Sequence, residues 1–275
     1  MNLEQTGLAR VLKGNRLQVP ANQRNYAWEE SQVQQLLEDL SRAQHDGESY
    51  FLGTVVTIGR DNDVLEVVDG QQRLATTTLL LVAVRDYLRN LDGEEMLVKS
   101  LDGDFLNIID RKKREVVPRI RLNVEDNEFF AALLAREVEV LLPEPKRSSH
   151  ERILDAYKLA TRHVEAIVAG VAESDHGDFL NDWVTFLDEE ATVVLLRVYD
   201  DANAYRMFET LNDRGLKTSQ ADLVKNHLFG AAGSRIEEAQ QRWSYMRGAL
   251  EALEDEDVTI DFLRYAVIAM TAVQT

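Results

Sequence analysis

The stretch VVDGQQR joins a strand-like apolar segment to a helix-like one. Asp69 and Gly70 followed by a helix that begins Gln71-Gln72-Arg73 would leave unpaired backbone N–H groups and the positive end of the helix dipole at the end of the strand. Gly70 would let a ligand approach the backbone, Arg73 could fork onto phosphate oxygens, and the glutamines add neutral donors. The pattern predicts an anion site in which Asp69 caps the helix or holds Mg²⁺. The alternative is an ordinary Asp69 N-cap with Arg73 paired to a surface carboxylate.

A second polar stretch, VPANQRNYAW, follows the first predicted strand. It concentrates Gln23, Arg24, Tyr26 and Trp28 in a non-helical segment, where the amide and guanidinium could bind a phosphate and the aromatic rings could stack on a base. The alternative is structural, because Tyr26 and Trp28 could instead pack under the following helix.

A third stretch, FETLNDRGLKTSQADLVKN, combines a helix end with a new helix start. The first helix is predicted to end near Asn212, Gly215 permits a left-handed turn, and Ser219 begins the next helix. A helical hairpin explains most of this pattern without a ligand. Asn212 and Arg214 remain as binding candidates.

Hydrophobic periodicity predicts an α+β fold. Strands are expected at RLQVP, at SYFLGTVVTI and VLEVVD, which form a hairpin, and at ATVVLLRVYD, which could rejoin the sheet. A helix over WEESQVQQLLEDLSRA would place four residues on one apolar face: Val33, Leu36, Leu37 and Leu40. A second helix, from Gln71 to about Leu91, should be mostly buried.

Composition changes near residue 92, where Gly and Asp become frequent and longer helical periods follow. The sequence therefore predicts a small mixed sheet with helices over residues 1–92 and a mainly α-helical region over 93–275. In that second region, Ser148 and Glu151 fit a capping box for a long helix. The helical pattern SRIEEAQQRWSYMRGAL follows later in the chain.

The charge balance limits the function classes. The 275 residues carry a formal charge of −17, so any contact with nucleic acid must come from a local basic patch. The one basic cluster is DRKKREVVPRIRL, read either as a DNA-facing strip or as a solvated loop before a strand; its cations are Arg111, Lys112, Lys113, Arg114, Arg119 and Arg121. The absence of a secretory leader and of an 18-residue apolar run predicts a cytoplasmic protein without a membrane contact.

The sequence gives little indication of a metal site or of thiol chemistry. The chain has no cysteine, and its five histidines show no ligand spacing, so neither a zinc site nor an HNH nuclease site is expected within these residues.

The stretches NQRNYAW, DGQQR and FETLNDRG, in this order and spacing, resemble the N-terminal domain of GmrSD-type modification-dependent restriction proteins, a group that includes phosphorothioate-sensing effectors of the SspE type. The resemblance covers roughly residues 5 to 230. It implies a ParB/sulfiredoxin-like nucleotide-binding domain over residues 1–92, a helical region that completes a nucleotide or DNA cavity, and hydrolysis of nucleoside triphosphates, with GTP favoured. The implied partners are modified double-stranded DNA and an HNH-type nuclease domain, and a homodimer is left open.

The same resemblance assigns roles to individual residues. Catalysis is implied for Asp69, Gln71, Gln72 and Arg73, with Asp69 as the Mg²⁺ ligand. Nucleotide binding is implied for Gln23, Arg24, Gly70, Asn212 and Arg214, while Phe208 and Gly215 match the third motif. Tyr26 and Trp28 would contact the base or the modified DNA. The alternative function is a switch module that binds nucleotide or modified DNA without hydrolysis and regulates a partner nuclease.

Overall fold

The computed structural model describes residues 2–21, 23–59, 64–136, 141–199 and 235–251, together with Phe262. The chain forms two compact units. The first comprises Met1–Pro20 and Asn25–Thr210, and the second comprises Ala21–Arg24 and Leu211–Thr275. Residue 92 lies inside the first unit, and the domain boundary expected there stays a prediction.

The main sheet of the first unit is mixed. Over the described residues it has six strands in the order β1-β8-β3-β4-β2-β7, and a separate hairpin pairs β5 with β6. β3 is parallel to β8 and antiparallel to β4, and β2 is parallel to both β4 and β7. The strands are β1 (Asn2–Gly7), β2 (Leu17–Gln18), β3 (Tyr50–Ile58), β4 (Leu65–Asp69), β5 (Asn107–Asp110), β6 (Glu115–Pro118), β7 (Ile120–Arg121) and β8 (Ala191–Val198).

Helices cover this sheet and extend beyond it. A π-helical turn, Asp102–Leu106, follows α4. The α-helices are α1 (Leu8–Gly14), α2 (Glu30–Asp46), α3 (Gln71–Leu88), α4 (Glu95–Leu101), α5 (Asn127–Ala135), α6 (Ser148–Val168), α7 (His176–Glu189) and, in the second unit, α8 (Ile236–Glu251). The predicted α+β class is confirmed. Within the described ranges, every helix is too short or too polar to span a membrane.

Helix α2 follows its sequence signals closely. Glu29 and Gln32 form a capping box at its start, and Gly47 ends it in the left-handed conformation. The four residues predicted for its apolar face are all buried, which confirms that prediction: Val33, Leu36, Leu37 and Leu40. This helix is therefore held by one apolar face and by its caps.

Helix α3 is buried almost all round, as predicted from its composition. It packs against α6 on one side and against α1 and α4 on others. Its far end contains Arg85, which is 1% exposed and donates to Asp86, to Asp102 and to the carbonyl of Leu134. A charge that is buried so completely is stable only because it is paired and hydrogen-bonded.

Three local details differ from the sequence reading. Helix α6 begins at Ser148 with Arg147 as its N-cap and without a side-chain cap, so the expected capping box there is wrong. The first residues form a strand and a helix, β1 and α1, that the periodicity did not predict. The basic segment forms a hairpin, β5–β6, so that a strand precedes the exposed turn as well as following it. The hairpin of β3 with β4 and the return of β8 to the sheet are confirmed.

Candidate functional site

The DGQQR junction, residues 69–73, lies where β4 ends and α3 begins. Gly70 is the N-cap of α3 and has φ 88°, in the left-handed region that favours glycine. A Cβ at Gly70 would lie 2.9 Å from Cγ2 of Val55 on the neighbouring strand β3. Position 70 therefore requires glycine for its backbone angle and also for the close approach of β3.

Asp69 does not cap the helix. It is the last residue of β4 and pairs with Val56 on β3, and α3 begins without a hydrogen bond from a capping side chain. The N-cap reading of Asp69 is therefore wrong. Its side chain is 28% exposed, and one carboxylate oxygen lies 4.0 Å from Nη2 of Arg73.

Arg73 binds the backbone of β3. Its Nη1 donates to the carbonyl of Leu52 and its Nη2 donates to the carbonyl of Thr54, at 2.5 Å. These carbonyls flank Gly53, where the pairing of β3 with β8 shifts register and where φ is 88°. A Cβ at Gly53 would lie 3.0 Å from Nη1, so glycine makes room for the guanidinium. Burial lowers the pKa of Arg73, and the nearby charge of Asp69 opposes that shift.

Gln72 joins the first polar stretch to the second. Its Oε1 accepts from the backbone N–H of Ala27 at 2.9 Å, and its Nε2 donates to the carbonyl of Asn25 at 3.2 Å. The side chain is buried, as is that of Gln71. Because one amide satisfies two backbone groups, Gln72 fixes residues 25–27 beside the start of α3.

Tyr26 belongs to the core. Its ring is 3% exposed, and its hydroxyl lies 2.7 Å from Oγ1 of Thr76. Thr76 donates its own hydrogen to the carbonyl of Gln72, so the phenol is the donor to Thr76. Burial raises the pKa of Tyr26. This placement matches the packing alternative, and a contact with a base or DNA would require Tyr26 to leave the core. Trp28 is half-buried against the same core.

Asp126 holds the same segment from the other side. Its Oδ2 accepts from the backbone N–H of Tyr26 at 2.7 Å, and its Oδ1 accepts from the hydroxyl of Ser149 at 2.5 Å. It is 1% exposed, and burial raises its pKa. Next to it, Asn25 donates to Glu125 at 2.6 Å and accepts from Asn123 at 2.7 Å.

Sequence reasoning missed this polar group. Its only local signal is the run Asn-Val-Glu-Asp-Asn-Glu between the apolar stretches RIRL and FFAALLA. Such a run is typical of a helix start and gives no indication of the partners, which lie about 100 residues earlier in the chain.

We expect Asp126→Ala to lower the free energy of unfolding by about 2–3 kcal/mol, because the N–H of Tyr26 and the hydroxyl of Ser149 lose their acceptor. Asp126→Asn can accept from Tyr26 and donate to Ser149 as a protonated carboxyl does, so it should stay close to the wild type at acid pH, where Asp126 is protonated. Urea unfolding at a series of pH values measures both.

The pH dependence has a defined sign. The pKa of Asp126 is raised in the folded state, so that state holds the proton more tightly than the unfolded chain does. This group therefore stabilises the fold below its unfolded pKa and loses that contribution as the pH rises through its folded pKa. Asp126→Asn should lack this decline; an identical pH profile for the two proteins would contradict the assignment.

The remaining predicted site residues lie elsewhere. Gln23 and Arg24 belong to the second compact unit, and Asn212, Arg214, Phe208 and Gly215 lie outside the described residues. Among the described residues, no group of three or more His, Asp or Glu side chains is arranged to hold a metal ion. The first unit thus brings together residues 69–73 and 25–28, and the third stretch stays a prediction.

The first unit is an α+β domain with a mixed sheet. Its distinguishing feature is a glycine-capped strand-to-helix junction with two buried glutamines and an arginine. A family model described as the N-terminal domain of the GmrSD restriction endonuclease matches residues 8–229. The chain therefore belongs to the GmrSD N-terminal domain family, which makes it part of a restriction system. A search of curated proteins found no match.

Proposed function

We propose that this chain is the NTP-hydrolysing sensor domain of a modification-dependent restriction protein, with GTP as the favoured nucleotide. In this proposal, hydrolysis is coupled to recognition of modified DNA, such as phosphorothioate DNA, and regulates an HNH-type nuclease domain. The supporting observation is the DGQQR junction. Gly70, the N-cap of α3, makes no side-chain cap hydrogen bond, and backbone N–H groups at a helix start favour phosphate.

The residues of the junction divide into two tasks. Gln72 has both ends of its amide on the backbone of residues 25 and 27, which suits a positioning role. Gln71 and Asp69 are the candidates to orient the attacking water. Arg73 uses two of its five N–H donors on β3 carbonyls, and each of those nitrogens carries a second hydrogen that could reach a phosphate oxygen.

Asp69 fits a magnesium ion that arrives with the nucleotide. Mg²⁺ is commonly held by one or two carboxylates together with phosphate oxygens and waters, so a large cluster of acidic residues is not needed. The partly exposed carboxylate of Asp69, at the end of β4, supplies one such ligand. When bound, Mg²⁺ would offset negative charge on the β- and γ-phosphates.

The test is phosphate release from GTP, CTP, UTP and ATP with Mg²⁺, in the presence and absence of modified DNA. We expect Arg73→Ala to lower turnover by about 10²- to 10³-fold, because a positioned cation at the transferred phosphoryl group is lost. Arg42→Ala, an exposed change on α2, is the matched control and should match the wild type.

Stability has to be measured alongside, since Arg73 also holds the β3 backbone. Arg73→Lys keeps the charge but cannot make both carbonyl bonds in the same planar geometry. A folded Arg73→Ala protein with turnover within about twofold of the wild type would refute the catalytic role.

A second function is supported by the same contacts. Arg73 is already bonded to the carbonyls of Leu52 and Thr54, so its guanidinium could hold a bound nucleotide without assisting phosphoryl transfer. The site would then act as a nucleotide-dependent switch for a partner nuclease. Tight GTP binding by the wild type without phosphate release would favour this function over the NTPase.

A further inference from the structure

The strongest concentration of positive charge lies on the basic hairpin, residues 107–118. It is a two-stranded sheet of its own, separate from the main sheet, and its turn consists of Arg111, Lys112, Lys113 and Arg114. All four turn residues are exposed. They are the only run of three or more Lys or Arg residues in a chain of formal charge −17.

Two acidic residues, Asp110 and Glu115, flank the turn, and both make contacts within the hairpin. The carboxylate of Asp110 accepts from the backbone N–H groups of Lys112 and Lys113, at 3.0 and 3.1 Å, and pairs with Arg16 at 3.2 Å. These backbone hydrogen bonds lower the pKa of Asp110. Asp110 therefore stays ionised and fixes the turn backbone, while the exposed side chains of the turn are cationic. Lys113 also pairs with Glu115 at 3.6 Å, but both side chains are exposed, so this pair is weak and a phosphate can compete for the ammonium.

An apolar pair lies next to the cations. Ile109 and Val116 are directly opposite each other across the hairpin, and they are 67% and 68% exposed. Paired residues in an antiparallel ladder lie on the same face, so the hairpin carries a small β-branched patch beside its basic turn.

We propose that the basic hairpin is a β-ribbon that binds duplex DNA, with the turn cations on the phosphates and the Ile109–Val116 face towards a groove. The proposal rests on the DNA-sensing part of the proposed function and extends it by naming the surface. The major groove admits a two-stranded ribbon, and apolar side chains there contact thymine methyl groups.

Electrostatics explain why this surface matters. A chain with a formal charge of −17 is repelled by DNA at long range, so binding requires a local cluster strong enough to replace counterions on the phosphates. The turn provides four adjacent cations, whereas the helices present cations among acidic residues. We favour DNA over an acidic protein as the ligand because the chain is part of a restriction system and because the two-stranded hairpin has the shape of a DNA-binding ribbon.

The test is fluorescence anisotropy with 30-base-pair duplexes, unmodified or carrying phosphorothioate, over a range of NaCl concentrations. The hairpin variant combines three exposed changes and leaves Arg114, at φ 57°, in place: Arg111→Gln, Lys112→Gln and Lys113→Gln. The control removes the same charge from the exposed surfaces of α2 and α6: Arg42→Gln, Lys158→Gln and Arg162→Gln.

We expect the hairpin variant to bind both duplexes at least about tenfold more weakly at low salt and to reduce the slope of log affinity against log salt by about 2–3. The control should bind close to the wild type. Phosphate release without DNA should be the same in all three proteins, which separates this surface from the nucleotide site.

Three outcomes would overturn the proposal. Equal losses in the hairpin and control variants would mean that only net charge matters. A wild type that fails to bind duplex DNA would refute DNA sensing itself, while phosphate release would still report on the NTPase. Tighter binding of a polyglutamate peptide than of the duplex, lost in the hairpin variant, would assign the hairpin to an acidic protein instead.

Discussion

Gly70→Ala is expected to destabilise the first unit strongly, because the new methyl group combines a left-handed backbone angle with a close contact. An alanine at φ 88° costs about 1 kcal/mol, and overlap with Val55, whose Cγ2 would lie 2.9 Å from the new Cβ, adds about 1–3 kcal/mol. Val55 lies in β3 and is fully buried, so it has little room to move. We expect the thermal unfolding midpoint to fall by about 5–10 °C.

The chain provides a matched control for this change. Gly93 has φ 91°, almost the same angle, but an added Cβ there meets nothing within 4 Å. Gly93→Ala should therefore show only the cost of the backbone angle. If the two variants unfold at the same temperature, the contact with Val55 does not restrict position 70.

Gln72→Glu is expected to have the second large effect. The new carboxylate could still accept from the N–H of Ala27, but it would face the carbonyl of Asn25 without a hydrogen to donate. Such a mismatch at a position that is 6% exposed should lower the free energy of unfolding by about 2–4 kcal/mol. Hydrogen exchange of residues 25–28 should become faster, because that segment loses one of its two anchors.

The control for this variant is Gln34→Glu, the same chemical change on the exposed side of α2. It should change stability by no more than about 0.5 kcal/mol. Unchanged exchange of residues 25–28 in Gln72→Glu would mean that Asp126 alone holds the segment.

Local signals predicted the frame of the site. The strand β4, the glycine and the helix α3 follow one another in the sequence, so their junction was readable from residues 65–88. The apolar face of α2 was readable for the same reason, because its period lies within one helix. These features depend on neighbours a few residues apart.

The partners of the site residues depend on long-range contacts, which a local sequence pattern does not reveal. The pattern left Arg73 open between a phosphate and a surface carboxylate, and it gave no sign of the partners that the structure shows, the carbonyls of Leu52 and Thr54 on β3, where the register shifts near Gly53. The pattern left Tyr26 open between stacking and packing, and its burial depends on Thr76 and Asp126, 50 and 100 residues away. No spacing rule within a segment encodes such partners.

The buried anchor of Arg85 has a consequence for how α3 could transmit a signal. The guanidinium ties the far end of the helix to Asp102 in the π-helical turn and to the carbonyl of Leu134 in α5. Sliding the helix along its axis would break these bonds at a guanidinium that is 1% exposed, where their loss is costly. Ligand binding near Gly70 would therefore leave the axial position of α3 unchanged. The binding signal would be transmitted by side chains and loops rather than by translation of the helix.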